Sequence, residues 1–113
     1  MKTITEQLIA EKELLSDPAR WTKSAFARDA NGRVTMTSAR AWLDDIDVLP
    51  AVCWCQHGAS YQLSSSINTR LLKNMIANTY GFSTAMDFND APETTHADLM
   101  SFYDVCIAHS TQD

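Results

Sequence analysis

The sequence predicts an α+β fold, mostly helical, with four to five helices packed against one small two-stranded β-hairpin at about 24–36. Three observations carry that expectation. Apolar residues recur at helical spacing along the chain, most continuously as Leu99, Phe102, Tyr103, Cys106 and Ile107. Asn31-Gly32 separates two short arms, and both residues tolerate the positive φ values of a tight hairpin turn. A chain of 113 residues with 45% hydrophobic and 20% charged residues suits one domain, 1–113, that buries its own core without disulfides or metal.

Each element has its own signal. Thr3 to Ser16 carries Ile4, Leu8 and Leu15 at helical spacing and stops at Asp17-Pro18, because a residue before proline is pushed out of the helical region. Ser24 to Asp29 and Arg33 to Met36 are the arms of the hairpin, which as an isolated ribbon is marginal in water and has to pack on helices. Thr37 or Ser38 caps a short helical segment through Trp42, and Asp44-Asp45-Ile46-Asp47 leads to Pro50. Val52, Cys55, Ala59 and Leu63 share one helical stripe that runs to about Ser64, and Ser65 or Ser66 caps the next helix. Over Ile67 to Tyr80 the spacing puts Leu71, Leu72, Met75, Ile76 and Tyr80 on the apolar face and Arg70, Lys73, Asn74 and Asn78 elsewhere. Gly81 ends that helix. Ser83 caps a single turn through Phe88, Asn89-Asp90-Ala91-Pro92 bends the chain, and Thr95 with Asp98 forms a variant capping box for the last helix.

Charge is distributed unevenly. The net charge is −5, yet from Met1 to Ala39 the bases Lys2, Lys12, Arg20, Lys23, Arg28 and Arg33 nearly balance the acids. No Lys or Arg follows Lys73, whereas Asp87, Asp90, Glu93, Asp98, Asp104 and Asp113 accumulate there. Such a surface repels phosphate backbones, which argues against direct nucleic-acid binding. It attracts a basic protein surface, with Asp87, Asp90, Glu93 and Asp98 as the expected partner-binding residues. Simple solubility is the competing role for the same charges. The amino terminus has no continuous apolar stretch of the kind a signal peptide or membrane span needs, and three cysteines, an odd number, read as free thiols in a reducing cytoplasm.

Several short motifs form one set. They are Trp21, Ala27-Arg28-Asp29 with Gly32, Cys55-Gln56-His57-Gly58-Ala59, and Phe88-Asn89-Asp90-Ala91-Pro92 before Thr95 to Leu99. Together they resemble a family of small uncharacterised bacterial and phage proteins that shows Ala-Arg-Asp and Gly, Cys-x-x-Gly-Ala, and Trp-Asn-Asp-Ala-Pro before a last helix. The chain departs from that pattern at Phe88, and Cys53 and His57 lie outside it. The resemblance implies an architecture and a phage or prophage origin, with no activity attached.

The run Cys53-Trp54-Cys55-Gln56-His57-Gly58-Ala59 concentrates the chemistry-bearing residues. On a continuous helix Cys53 and His57 share a face, but two ligands are too few for zinc and no paired-ligand spacing adds a third, so neither metal nor cofactor is expected. A thiol enzyme centred on Cys55, with His57 as base and Asn89 as orienting group, is the alternative to a non-catalytic module. Against it, free cysteine packs as a small hydrophobe, and Asn89-Asp90 satisfies backbone donors at a bend. The leading expectation is an interaction module without a catalytic site, acting as a regulator or inhibitor of a host or self protein through its acidic face.

Overall fold

The computed structural model describes residues 2–36 and 51–111, so the expected segment from Thr37 through Trp42 and the run Asp44-Asp45-Ile46-Asp47 lie outside the described residues. Among those described, five helices run in the order α1 (Ile4–Leu14), α2 (Gln56–Gln62), α3 (Ile67–Thr79), α4 (Ala85–Asp90) and α5 (His96–Ser110). The strands β1 (Ala27–Arg28), β2 (Val34–Met36) and β3 (Cys53–Trp54) form an antiparallel sheet in the order β2-β1-β3. The fold is α+β and mostly helical. None of the described helices is long and apolar enough to cross a membrane.

Helix ends follow the local chemistry. Thr3 and Glu6 close a full capping box on α1, and Thr95 and Asp98 close one on α5. Ser66 caps α3, and Gly81, at φ +90°, lets Phe82 N–H turn back to the Ala77 carbonyl at 3.1 Å. The α4 cap is Thr84 rather than Ser83; its hydroxyl accepts from Asp87 N–H.

The hairpin loop departs from a two-residue turn. Asp29 and Arg33 close it by a 2.9 Å backbone bond, and Gly32 takes positive φ while Asn31 does not. One Asp29 carboxylate oxygen collects the Asn31 and Arg33 N–H groups at 2.8 and 3.0 Å. An aspartate side chain that satisfies the loop from inside removes the need for a second left-handed residue.

A larger correction concerns the third strand. Val52 to Ser64 reads as one helix by its spacing, but Val52 N–H bonds the Arg28 carbonyl at 2.9 Å and Cys55 N–H bonds the Phe26 carbonyl at 3.1 Å. Residues 53 and 54 therefore extend the hairpin, and the helix starts only at Gln56. Tertiary pairing with a waiting strand edge outweighs a short apolar stripe.

The core lies between α1, α3, α4 and α5. Leu8, Leu15, Leu99, Phe102 and Cys106 are fully buried, and Phe88 stacks on Phe102 with ring centroids 4.7 Å apart. Helix α3 is rotated from its expected orientation. Its buried residues are Thr69, Lys73, Ile76 and Ala77, whereas Leu71 (56% exposed), Met75 and Tyr80 face outward. A lysine in the core and a leucine outside contradict the stripe reading; the reason is a carboxylate on α1.

Candidate functional site

That carboxylate is Glu11, fully buried on the face of α1 that meets the other helices. Its Oε1 accepts from Lys73 Nζ at 2.6 Å and from the Tyr103 hydroxyl at 2.7 Å. Its Oε2 accepts from Ser60 Oγ at 2.8 Å and Ser65 Oγ at 2.6 Å. A carboxylate has about four lone-pair sites, and here all are filled. Lys73 in turn directs its ammonium donors to Glu11, to Ser60 Oγ at 2.7 Å and to the Gln56 carbonyl at 3.3 Å. A buried ion pair is tolerable only when such hydrogen bonds complete both partners.

Burial alone would push the Glu11 carboxyl up. The Lys73 ammonium and the hydrogen bonds from Lys73, Ser65 and Tyr103 outweigh it, so Glu11 titrates below its ordinary range. Burial first, then the Glu11 charge, pushes the Tyr103 phenol well up. The cluster ties α1, α2, α3 and α5 to one carboxylate. With Glu11, Lys73 and Tyr103 at most 2% exposed, it is closed to any substrate and acts as a polar clamp.

The Cys-x-x-Gly-Ala motif serves packing as well. Cys55 is the cap residue of α2: its sulfur accepts from Gly58 N–H at 3.3 Å, and its thiol is directed at Met86 Sδ, 3.7 Å away. Burial raises the Cys55 thiol to about 11 and the Cys106 thiol to about 12. Gly58 lies so close to β1 that a Cβ there would come within 1.7 Å of the Phe26 carbonyl oxygen. His57 turns to the other side, stacked on Phe26 at 4.9 Å with 11° between the rings and flanked by Tyr61. Burial, then the Lys73 and Arg70 charges, keeps its pKa low.

Asn89, the third member of the expected thiol site, is a scaffold hub. Its Oδ1 accepts from Trp21 Nε1 at 2.7 Å and from Gln56 N–H at 3.2 Å, and its Nδ2 donates to the Thr22 carbonyl and to Asp90 Oδ1. Cys55, His57 and Asn89 are thus brought near one helix start, but each side chain is bonded or stacked to a different neighbour. Cys53 lies in β3, not on a helix with His57, so the shared-face geometry is absent. Among the described residues no group of three or more His, Cys, Asp or Glu side chains is placed to hold a metal. A thiolate nucleophile needs a lowered pKa and access; Cys55 has neither. Native protein treated with iodoacetamide near neutral pH is expected to leave Cys55 and Cys106 unmodified until it is denatured, as read by peptide mass mapping. Rapid native labelling of Cys55 would revive a thiol enzyme.

The expected partner-binding acids divide. Asp90 is half-buried, and its Oδ1 accepts from Ser24 N–H at 2.8 Å, holding that residue at φ +62°. It belongs to the scaffold. Asp87, Glu93 and Asp98 are exposed on α4, the α4–α5 connection and the first turn of α5. Glu93 and Asp98 also line a groove of about 360 Å³ together with Tyr80, Phe82, Phe88, Thr94 and Ser101. Behind it Lys23 Nζ donates to the Ala91 and Thr94 carbonyls and fixes the connection. The acids were visible in the sequence, but the aromatic groove was not, because Tyr80 and Phe82 lie at a helix end and Phe88 on the next helix.

A family model described as a family of unknown function (DUF6197) matches residues 1–109. No curated protein and no solved structure matches the chain.

Proposed function

The chain belongs to the DUF6197 family of unknown function, and from that premise we propose that it is a non-catalytic interaction module that captures a basic segment of a partner protein on its α4–α5 face. One observation carries this reading: Asp87, Glu93 and Asp98 are exposed on a unit whose own residues, from α4 to the end of α5, include no Lys or Arg. Unbalanced exposed charge of one sign steers an oppositely charged partner and sets the register of docking. With the phage or prophage origin that the motif resemblance implies, the partner is a host protein and the module its regulator or inhibitor. Three free thiols suit a cytoplasmic setting.

A fluorescent dodecapeptide alternating glycine and lysine is expected to bind the protein, with affinity that falls as ionic strength rises because the contacts are exposed. The counterpart alternating glycine and glutamate is expected not to bind. Reversing two exposed charges of this face, Asp87→Lys with Glu93→Lys, should abolish capture by fluorescence anisotropy. Capture that survives the double reversal would exclude this face.

A further inference from the structure

Within that face one feature is more specific than charge. We propose that the groove between the end of α3, α4 and the start of α5 is a receptor for a single lysine side chain of the partner; this deepens the acidic-face reading and rests on it.

The floor of the groove is aromatic. Tyr80 and Phe88 stack with centroids 5.8 Å apart at 29°, and Phe82 meets Phe88 edge-on at 5.5 Å and 77°. Glu93 and Asp98 are the charged lining residues, and both are acids. Phe88 is buried and already stacked on Tyr80 and Phe102, so Tyr80 and Phe82 are the rings more open to a ligand, and a cation over either face is drawn in the same direction as by the carboxylates. The volume of about 360 Å³ lies at the low end of the range for small-ligand pockets, a size suited to one side chain rather than a folded segment.

Lysine fits this lining better than arginine. Its four-carbon stem covers apolar surface while its compact ammonium seeks single oxygen atoms. Arginine is recognised best by a carboxylate that offers both oxygens to its planar fork. Asp98 is already engaged on one side, its Oδ2 accepting from Thr95 N–H at 3.0 Å in the capping box, which leaves Oδ1 as the freer oxygen for a single ammonium donor. The same bond holds the carboxylate at the groove before any ligand arrives, which lowers the ordering cost of binding.

The test follows backbone amide resonances of the intact protein during titration with the glycine–lysine dodecapeptide, its Nζ-acetylated form and its arginine counterpart. Saturable shifts at Tyr80, Phe82, Thr94 and Ser101 are expected with the lysine peptide. The acetylated peptide, which keeps the stem and loses the charge, should produce none, and the arginine peptide should bind more weakly. Phe82→Leu, which keeps an apolar floor but removes a ring, should weaken lysine binding by about threefold to tenfold. Ser101→Tyr, a change at an exposed position of α5, should fill the groove and block the shifts without touching the core. Binding that needs Asp87 and Glu93 but leaves these amides unmoved, or that ignores both Phe82→Leu and Ser101→Tyr, would overturn the lysine receptor while sparing the acidic-face reading. Absence of any basic-peptide binding would sink both.

Discussion

Gly58→Ala is expected to destabilise the protein by about 3 kcal/mol or more, the upper part of the range for overpacking. The added methyl would sit 1.7 Å from the Phe26 carbonyl oxygen. That oxygen belongs to the backbone and already accepts from Cys55 N–H, so it cannot move aside as a flexible side chain would. Relief requires α2 to lift off the strand, which breaks the Cys55 bond and pulls His57 from its stack on Phe26. Gly81→Ala is the informative control. Its Cβ meets nothing within 4 Å, and the cost comes only from the positive φ of +90°, roughly 1–2 kcal/mol. Urea midpoints of the two variants therefore separate steric collision from backbone strain. A Gly58→Ala midpoint within error of the parent would show that α2 does not approach β1 so closely.

Lys73→Met should cost a similar amount, about 3–5 kcal/mol, because it leaves the Glu11 carboxylate buried without its counter-charge. Glu11→Leu alone strands the ammonium and the hydroxyls of Ser60, Ser65 and Tyr103. The double variant is expected to be less destabilised than the two single costs together, with a coupling of about 2–3 kcal/mol for residues that share one network. Additive single costs would show that Glu11 and Lys73 act independently.

The pH dependence gives a second, sharper readout. In the parent, Glu11 titrates below its ordinary value of about 4.5, so its contribution is complete above that pH and is lost as pH falls through the folded-state value. In Lys73→Met the burial that the ammonium had outweighed takes over and raises the Glu11 pKa. A raised folded-state pKa reverses the sign: stability is lost as pH rises through it and regained on acidification. Between neutral pH and about 4.5 the parent's Glu11 contribution stays flat, whereas Lys73→Met should gain stability as pH falls. A variant that weakens with acid over that interval would contradict the clamp.

The same cluster explains what sequence periodicity could and could not deliver. The capping boxes at Thr3 and Thr95, the stop at Gly81 and the apolar stripe of α5 are local, since each depends on residues within one or two turns. They were legible for that reason. Lys73 was not, because a lysine among Leu71, Leu72 and Met75 reads as the solvated face until a carboxylate comes from 62 positions away. Without Glu11, turning Leu71 outward and Lys73 inward would be a loss on both counts; with it, all the donors of Lys73 are met. The third strand was hidden for the same kind of reason, since Cys53 and Trp54 pair with residues near Ala27 rather than with their own neighbours.

The Cys-Trp-Cys-Gln-His-Gly-Ala run shows the division most clearly at the candidate site. Its composition marked a place of importance, but not the kind of importance. Cys55 caps a helix, Gly58 admits a strand, His57 completes an aromatic stack, and Asn89 bonds back to Gln56 from α4. The acids of the carboxy-terminal part were visible as a charge imbalance, but the sequence did not reveal that Asp90 bonds Ser24 N–H within the fold or that Glu93 and Asp98 line the groove.

By itself, then, the sequence determined the helical α+β class, most helix ends, the hairpin and the sign of the surface charge, because short-range hydrogen bonds and net composition decide those. Tertiary structure alone decided the inward turn of Lys73, the recruitment of residues 53 and 54 into the sheet, and the meeting of Tyr80, Phe82 and Phe88 beside two carboxylates. Each of these depends on groups far apart in the chain, whose energies count only once folding has brought them within bonding distance and removed the water between them.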